Sequence, residues 1–278
     1  MVVSVAEKRA RFRKLHESGC FVIPNPWDLG SARYLQHLGF PALASTSSGF
    51  AWTIAHPDNK VRAETIIAHL SALADGIDVP LNADFEGGFA ANLEGLAANV
   101  ALAVGAGVSG LSIEDSTGDR ARPLLEPAQA VERIKAARAA IDRADPAVIL
   151  VGRAECFLVG RPDLKETIAR LVAYAEAGAD CLYAPGLRTK EEIAAVVEAV
   201  APKPVNLLMG APVFTFAELA ELGVRRISVG GALARVAWGA FIRAAGELAK
   251  TGSFAGFSQA VPHPELNGFF VEDLKKRG

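Results

Sequence analysis

The segment GAGVSGLSIED (residues 105–115) contains the pattern that decides the fold. A helical run of apolar residues ends at its glycines, and a short strand-like run follows within two residues. Three other segments repeat this order: HLGFPALAST (37–46), EAGADCLYAPG (176–186) and ELGVRRISVG (221–230). Because glycine readily takes the left-handed conformation that ends a helix, each segment predicts a junction from a helix to a strand.

Short apolar runs recur along the whole chain, with helical spacing of apolar residues between them. There are eight: CFVIPN (20–25), PALAST (41–46), VPLNADF (79–85), SGLSIED (109–115), AVILVGR (147–153), DCLYAP (180–185), KPVNLLM (203–209) and RRISVG (225–230). Runs that are apolar on both faces are typical of parallel strands covered by helices. Eight such units predict one (β/α)8 TIM-type barrel domain over residues 1–278, with a doubly wound open sheet as the alternative.

The composition limits the classes of partner. The 278 residues include 29 Lys and Arg against 31 Asp and Glu, which gives a net charge of -2. This balance provides no basic surface for nucleic acid and no polybasic patch for a membrane, so it predicts a small-molecule partner. Three cysteines without CxxC spacing, and a charged N-terminal segment without an apolar core, predict a cytoplasmic location without a targeting signal.

Polar side chains follow the predicted strands at their C-terminal ends, where barrels of this type form their active sites. They include Thr46, Ser47, Ser48, Asp84, Glu86, Glu114, Arg153, Asn206 and Arg235. Asp84 and Glu86 would share a face if their strand extended through both. Carboxylates on adjacent strands, without His or Cys nearby, favour Mg²⁺ or Mn²⁺. Two alternatives remain: a structural network of these acids with Arg153, and a carboxylate pair that acts as in glycoside hydrolysis.

The glycine pair Gly230-Gly231 follows the last predicted strand and starts a helix. Such a pair fits a phosphate cup, which many barrels form after their seventh and eighth strands, and it equally fits close packing at a tight turn. Arg235, one helical turn further on, would contact either a substrate anion or solvent. The residues alone decide neither between a phosphate cup and close packing for the glycine pair, nor between a substrate anion and solvent for Arg235.

Several motifs in a fixed order resemble the isocitrate lyase and phosphoenolpyruvate mutase superfamily, in particular its short mutase-like branch. They are NPWDLGSA, STSSGFA with the following HPD, NADFEGGF, SIED and GRAE, together with Asn206 and Arg235. The resemblance covers about residues 15–245. It implies a (β/α)8 barrel, bound Mg²⁺, and cleavage or rearrangement of a C–C or P–C bond beside the carbonyl of a 2-oxo acid, or of the equivalent bond of a 2-hydroxy acid.

The resemblance also implies an assembly. Members of the superfamily form dimers or tetramers that exchange C-terminal helices. The C-terminal extension, from about residue 250 to 278, contains four phenylalanines that need burial. The superfamily arrangement would bury them on a neighbouring subunit, and the base of their own barrel is the other possibility.

Carried over by position, Asp84 resembles the acid nearest the metal, and Glu86 and Glu114 resemble the acids that hold metal-bound waters. The resemblance also implies that Asp84 contacts the substrate. Asn206 and Arg235 match positions that reach the distal part of some substrates of the superfamily.

The resemblance also implies which residues stabilise negative charge on the substrate. Thr46 and Ser47, with their backbone N–H groups and that of Ser48, match the cradle for the substrate carboxylate and the developing enolate oxygen. Arg153 matches the arginine that contacts the same oxyanion. The implied mechanism is electrostatic stabilisation of an enolate by Mg²⁺ and fixed donors.

The loop at residues 116–124 departs from the superfamily pattern. Isocitrate and methylisocitrate lyases carry a Lys-Lys/Arg-Cys-Gly-His segment here, and phosphoenolpyruvate mutases carry a Lys and an Asn. This chain has Arg120 and Arg122, without Cys, His, Lys or Asn. Because CO₂ leaves without protonation, we expect decarboxylation of oxaloacetate or lysis of a related acid. The alternatives are P–C bond hydrolysis or mutation of phosphonopyruvate, and a non-catalytic 2-oxo acid binding protein.

Overall fold

The computed structural model describes residues 3–277, which fall into two compact units, Val3–Gly231 and a second that begins at Ala232. The strands are β1 Phe21–Ile23, β2 Leu43–Ala44, β3 Leu81–Asp84, β4 Gly110–Glu114, β5 Ile149–Arg153, β6 Cys181–Tyr183, β7 Val205–Leu208 and β8 Arg226–Ser228. The helices of the first unit are α1 Val5–Leu15, α2 Leu29–His37, α3 Ser47–Thr53, α4 Ala63–Gly76, α5 Leu93–Gly105, α6 Pro127–Ala144, α7 Leu164–Glu176, α8 Lys190–Val200 and α9 Phe216–Glu221.

The eight strands form one parallel sheet in the order β1-β8-β7-β6-β5-β4-β3-β2. Single hydrogen bonds connect the two ends of this sheet: the Ala44 N–H donates to the Pro24 carbonyl (3.0 Å), and Asn25 Nδ2 donates to the Ser45 carbonyl (2.8 Å). The sheet is therefore an almost closed barrel surrounded by helices. The predicted (β/α)8 barrel is confirmed, and the open doubly wound alternative is wrong.

The four predicted junctions also adopt the expected conformation. Gly39, Gly107, Gly178 and Gly223 have φ angles of 87°, 91°, 104° and 86°. Only glycine takes this left-handed conformation without strain, so these positions end the preceding helices and direct the chain into β2, β4, β6 and β8. Each β strand thus begins close to the end of a helix.

The barrel interior contains an apolar cluster and a group of buried polar side chains. The apolar cluster includes Phe12, Phe21, Ile23, Ala44, Ile149, Val151, Cys181 and Tyr183. The buried polar side chains are Asn82, Ser112, Asn206, Arg226 and Ser228. At Gly110, a Cβ would lie 2.7 Å from the Phe12 ring, so glycine is required for that ring to close the interior.

The second unit consists of α10 (Ala232–Thr251), a 3₁₀ helix (Ala255–Gln259) and α11 (His263–Lys275). Phe254 and Phe257 are largely exposed in the single chain, so their burial on a neighbouring subunit stays a prediction, as does helix exchange. The prediction of one domain over residues 1–278 is likewise untested. Among residues 3–277, no helix combines the length and the apolar character that crossing a bilayer requires.

Candidate active site

Asp84 ends β3 and joins two elements of the candidate site. Its Oδ2 accepts hydrogen bonds from the backbone N–H and the hydroxyl of Ser47, each at 3.0 Å. Its Oδ1 lies 3.1 Å from Nη1 of Arg153. The backbone N–H of Asp84 donates to Ser45 Oγ (2.9 Å), which fixes the end of the strand. Contacts on both oxygens thus orient the Asp84 carboxylate, and 20% of the side chain remains exposed.

The first turn of α3 forms the opposite wall. Thr46 caps this helix, and its hydroxyl accepts from the Gly49 N–H (3.3 Å) and lies 3.2 Å from Ser48 Oγ. Because the Ser47 N–H is bonded to Asp84, that donor is engaged before any ligand arrives. The Ser48 N–H has no acceptor among the described residues, and Ser48 lines the cavity. The donors predicted for a substrate therefore lie together in this turn.

Arg153 ends β5 and contacts three carboxylates. Its Nη1 lies 3.1 Å from Asp84 and 3.3 Å from Glu114, and its Nε donates to Glu155. The guanidinium carbon lies 5.0 Å from the centre of the Tyr183 ring. Burial disfavours the charge on Arg153, but the carboxylates of Glu155 and Glu114 outweigh burial and raise its pKa well above the ordinary value. Arg153 is therefore a permanent cation at the centre of this site.

A buried network holds Glu155 in place. Asp115 accepts hydrogen bonds from the Glu155 backbone N–H (2.8 Å), from Nη1 of Arg170 (3.1 Å) and from the Tyr174 hydroxyl (2.6 Å). Glu155 in turn accepts from Arg153. This chain of contacts connects α7 to the catalytic end of the barrel, so the orientation of Arg153 depends on residues that do not line the cavity.

Glu86 does not continue the strand. β3 ends at Asp84, and Glu86 has a φ of +47° in a turn that the Gly88 N–H closes by donating to the Phe85 carbonyl (2.8 Å). The expectation that Asp84 and Glu86 share a strand face is therefore wrong, because the chain turns before the alternation reaches Glu86. Its carboxyl still faces a cavity that Glu114 and Asp58 also line.

The carboxyl groups around this cavity disfavour one another's charge. Burial, followed by the charges of Asp84 and Asp58, raises the pKa of Glu86 to about 8. Burial likewise raises the pKa of Glu114 well above its ordinary value, against the opposing effect of Arg153, and burial with Asp84 raises the pKa of Asp58. Arg153 alone therefore does not balance the negative charge that these groups would carry when ionised.

The donor set fits a hard divalent cation. The acidic side chains around this cavity offer carboxyl oxygens, and a divalent charge would favour the ionised forms that burial disfavours. Within residues 3–277, no three His, Cys, Asp or Glu side chains are close enough together to hold a metal ion by themselves. An ion bound here would therefore keep water ligands, as Mg²⁺ usually does.

The raised pKa of Glu86 has a measurable effect on stability. Between about pH 4.5 and 8 the Glu86 carboxyl is protonated in the folded protein and ionised in the unfolded protein. Glu86 therefore lowers the stability of the fold increasingly as the pH rises through this range. We expect Glu86→Gln, in EDTA, to match the wild type at pH 5 and to exceed it by about 2 kcal/mol at pH 9, less than the full shift implies because the side chain is partly exposed. Urea denaturation at both pH values measures this difference. Equal stabilities at pH 9 would mean that folding does not raise the pKa of Glu86.

Asn206 is the remaining predicted site residue of the barrel, and Arg235 belongs to the second unit. Asn206 is buried on β7, where its Oδ1 accepts from Nε of Arg226 (2.8 Å) and its Nδ2 donates to Ser228 Oγ (3.0 Å). It lines the inner part of the same cavity as Asp84. Arg235 lies on α10 in the second unit, and its contact with a substrate stays a prediction.

The glycine pair after β8 serves packing in this structure. The Gly230 N–H donates to Oδ1 of Asn25 (2.8 Å), and the Val229 N–H does the same (2.9 Å), so neither donor points to a phosphate. A Cβ at Gly231 would lie 2.9 Å from Ser48 Oγ. Glycine here allows the end of β8 to approach the first turn of α3.

Asp58, Asn25 and Arg226 are among the cavity-lining residues that the sequence does not predict. Asp58 belongs to the HPD motif but follows α3 rather than a strand, so a rule based on strand ends does not select it. Asn25 lies at the end of an apolar run that predicts no role for it, although its amide connects β1 to both β2 and β8. Arg226 belongs to an Arg-Arg pair, and the sequence alone does not distinguish the inward residue.

The loop at residues 116–124 forms a narrow turn of its own. Ser116 and Leu124 pair as an isolated antiparallel bridge, and the Thr117 N–H donates to the Pro123 carbonyl (3.0 Å). Arg120 lines the cavity of about 690 Å³ that Glu86 and Glu114 also line, whereas Arg122 does not. Of the two arginines in this loop, the structure therefore places Arg120 at the carboxyl cluster.

Comparison with known proteins is consistent with this geometry. A candidate lyase/mutase of Burkholderia cenocepacia J2315 is 46% identical, with a TM-score of 0.93 over 96% of this chain and 97% of that chain. An oxaloacetate decarboxylase of Pseudomonas aeruginosa is 30% identical over 81% of this chain and 80% of its own length. A phosphonopyruvate hydrolase solved with oxalate and Mg²⁺ is 27% identical, with a TM-score of 0.83 over 96% of this chain and 97% of that chain.

A family model for phosphoenolpyruvate phosphomutase matches residues 12–249, which include every strand of the barrel. The chain is therefore a member of the phosphoenolpyruvate phosphomutase family of enzymes.

Proposed function

We propose that the protein is a Mg²⁺-dependent lyase that decarboxylates oxaloacetate or cleaves a C–C bond in a closely related small 2-oxo or 2-hydroxy acid. One observation carries the proposal: Asp84, Ser47 and Arg153 meet at the mouth of the barrel, beside a cluster of carboxyl groups with raised pKa. In that arrangement Arg153 would supply a fixed donor for a developing oxyanion, and the carboxyl groups would supply oxygen ligands for a divalent ion. The similarity to an oxaloacetate decarboxylase supports the choice of substrate.

Asp84 would hold the ion directly, and Glu86 and Glu114 would hold its water ligands. When bound, Mg²⁺ supplies Lewis acidity that polarises the carbonyl of a 2-oxo acid. Arg153 keeps the Asp84 carboxylate turned toward the cavity, and Ser47 fixes its other oxygen. Thr46 holds the first turn of α3 in the conformation that leaves the Ser48 N–H available to the substrate.

The reaction needs stabilisation of one negative charge. In oxaloacetate the C3–C4 bond breaks, C4 leaves as CO₂, and the electron pair forms the C2–C3 double bond of an enolate with its charge on the C2 oxygen. Arg153 and Ser48 both line the cavity in which that charge would develop. A proton from solvent at C3 then gives pyruvate. Such fixed donors act strongly because they need no reorganisation as the charge forms.

The divergent loop fits this choice of reaction. Lysis of a larger acid leaves a carbanion on the departing fragment, which needs a nearby acid, whereas CO₂ departs without a proton. Arg120 lines the cavity but is permanently charged and is a poor proton donor. The loop thus provides positive charge near the carboxyl cluster rather than a general acid.

A coupled pyruvate assay tests the proposal. With Mg²⁺ we expect pyruvate from oxaloacetate, competitive inhibition by oxalate, and a loss of activity in EDTA that added Mg²⁺ restores. Methylisocitrate, isocitrate, dimethylmalate and phosphonopyruvate complete the panel. Phosphate release from phosphonopyruvate with no pyruvate from oxaloacetate would replace decarboxylation by P–C chemistry. Oxalate binding that EDTA does not weaken would refute the metal assignment.

A further inference from the structure

The cavity of about 200 Å³ beside Asp84 and Arg153 is lined by few groups that can give up a proton. The enolate of the proposed reaction needs one proton at C3, which comes from solvent either directly or by way of such a group. The other O–H groups of the lining belong to serines and a threonine, and these aliphatic hydroxyls are far weaker acids than a phenol. The ionisable side chains of the lining are Asp58, Asp84, Arg153, Tyr183 and Arg226.

Three of these side chains are unsuitable as proton donors. Arg153 and Arg226 keep their protons throughout the physiological pH range. Both oxygens of Asp84 accept hydrogen bonds from neighbouring side chains, which leaves neither oxygen free to carry a proton. Tyr183 and Asp58 are the two donors that remain.

Tyr183 is the last residue of β6, and its ring forms part of the cavity wall. The pairing of β5 with β6 sets it level with Arg153, and the guanidinium carbon of Arg153 lies 5.0 Å from the centre of its ring. Burial raises the pKa of Tyr183 to about 12, and the charge of Arg153 and the Ser228 side chain oppose this rise. The phenol therefore carries its proton at neutral pH and is available as a donor.

A second buried cation lies beside this phenol. Arg226 is 3% exposed and donates to the neutral amides of Asn206 (2.8 Å) and Asn82 (3.2 Å). No carboxylate among residues 3–277 forms an ion pair with Arg226, although a charged group this deeply buried normally has an anionic partner. Burial lowers the pKa of Arg226, and Cys181 or Tyr183 would oppose this effect when ionised. Tyr183 lines the cavity, whereas Cys181 does not.

The surroundings favour Tyr183 over Asp58 as the donor. Asp58 also lines the cavity of Glu86 and Glu114, where a divalent ion would favour the ionised carboxylate, which has no proton to give. A phenol keeps its proton until the enolate removes it. The phenolate that then forms would lie between the charges of Arg153 and Arg226, and both charges stabilise it.

We propose that Tyr183 is a catalytic acid that delivers the proton to C3 of the enolate and so completes the formation of pyruvate. The inference rests on the proposed function. The O–H bond of the phenol breaks, the electron pair of the C2–C3 double bond forms the new C–H bond, and the charge on the C2 oxygen becomes the carbonyl bond. The phenolate then takes a proton from solvent. Transfer in this direction is favourable because a hydrogen on the carbon next to a carbonyl is less acidic than a phenol.

A donor that acts after CO₂ has left leaves a specific trace when it is removed. The C3–C4 bond still breaks, but the enolate takes its proton on oxygen and leaves the site as enolpyruvate. Enolpyruvate then converts to pyruvate in solution, without the protein. Loss of oxaloacetate and formation of pyruvate, which coincide in the wild-type protein, should therefore separate in time.

The first experiment follows oxaloacetate labelled at C3 by carbon NMR during turnover with Mg²⁺. Tyr183→Phe removes the phenolic proton and keeps the ring against Arg153. We expect this variant to consume oxaloacetate at no less than about a tenth of the wild-type rate, and to release at least about half of the product as enolpyruvate. Tyr34→Phe removes the same hydroxyl from a residue of α2 that is 44% exposed, and it should behave as the wild type.

Two results of this experiment would overturn the assignment. Pyruvate that appears in Tyr183→Phe as fast as oxaloacetate disappears, without an enolpyruvate signal, would mean that another group protonates C3. Oxaloacetate consumption that falls by about 100-fold or more would mean that Tyr183 acts before or during cleavage of the C–C bond. Asp58→Asn tests the rival donor: enolpyruvate release in that variant alone would assign the proton to Asp58.

The second experiment starts from pyruvate and does not depend on decarboxylation. The group that protonates C3 also removes a proton from it in the reverse direction, so wild-type protein with Mg²⁺ should exchange the methyl protons of pyruvate for deuterium in D₂O, and oxalate should inhibit the exchange. We expect Tyr183→Phe to slow this exchange by at least about tenfold and Tyr34→Phe to leave it unchanged. Equal exchange in Tyr183→Phe and the wild type would refute the acid role.

The two proposals fail in different ways. If oxaloacetate is not consumed but pyruvate exchanges its methyl protons, decarboxylation is wrong, and the exchange rates alone decide the role of Tyr183. If the wild-type protein forms pyruvate from oxaloacetate and Tyr183→Phe does so without enolpyruvate, the proposed function stands and the acid role is wrong. Absence of both turnover and exchange in the wild-type protein would refute both.

Discussion

The Asp84→Asn variant should convert oxaloacetate at least about 10³-fold more slowly than the wild-type protein. Its carboxylate accepts from two Ser47 donors on one oxygen and from Arg153 on the other. Asparagine keeps one acceptor oxygen and turns an NH₂ group toward one of these donors, so it cannot satisfy both sides. It also removes the charge that would hold the divalent ion. Initial rates of pyruvate formation with Mg²⁺ measure the loss.

The matched control is Asp142→Asn. Asp142 lies on α6, is more than half exposed and pairs with Arg138 at 2.8 Å. This variant removes the same charge far from the cavity lining, and we expect its rate to stay within twofold of the wild type. Circular dichroism should show both variants folded. If Asp84→Asn keeps a tenth or more of the activity, Asp84 is not the central acid of the site.

The eight strands could be predicted because parallel strands are apolar on both faces and each begins after a helix-ending glycine. The observed strands are shorter than the apolar runs. β2, for example, covers only Leu43–Ala44 of the run 41–46. The closure there is completed by the Asn25 amide, which donates to the Ser45 carbonyl, and by the Ala44 N–H, which donates to the Pro24 carbonyl. Such a closure depends on contacts between distant residues, and an apolar pattern does not contain them.

The site could be predicted in part for a related reason. Asp84, Glu114 and Arg153 end three strands, and the C-terminal ends of parallel strands meet at one face of a barrel. The strand alternation of side-chain faces does not extend to Glu86, because Gly87 and Gly88 let the chain turn there. Arg133 stabilises this turn by donating to the carbonyls of Gly87 and Ala90. A tertiary contact from α6 thus fixes a local conformation that the sequence pattern does not specify.

The barrel interior was the least predictable part. Arg225 and Arg226 are adjacent and chemically identical, and only the register of β8 against β7 decides which one points inward. His16 looks like an ordinary helix-surface residue, yet its ring nitrogen Nε2 lies 3.3 Å from the inward arginine. Polar residues inside a barrel cannot be inferred from strand-end arguments, because those arguments concern the rim and not the interior.

Arg153→Met should cause the other large loss, in stability as well as in activity. Arg153 forms ion pairs with Glu114 and Glu155. Leaving either carboxylate buried without its cation lowers the free energy of unfolding by about 3–5 kcal/mol near neutral pH. Turnover should fall by about 10³-fold, because the variant also loses a donor for the developing oxyanion. Urea denaturation and the pyruvate assay measure the two effects.

The pH dependence of the stability loss distinguishes this explanation from a simple packing defect. Burial raises the pKa of both Glu114 and Glu155, and the charge of Arg153 opposes this rise. Removing Arg153 therefore raises both pKa values further. A carboxyl whose folded pKa exceeds its unfolded pKa destabilises the fold increasingly as the pH rises between those values. The deficit of Arg153→Met should therefore be small at pH 5 and largest at pH 8. Arg153→Lys keeps the charge but not the forked geometry, so we expect it to recover most of the stability and little of the activity. A deficit that is equal at both pH values would mean that Arg153 stabilises the barrel by packing, and not by neutralising its buried carboxylates.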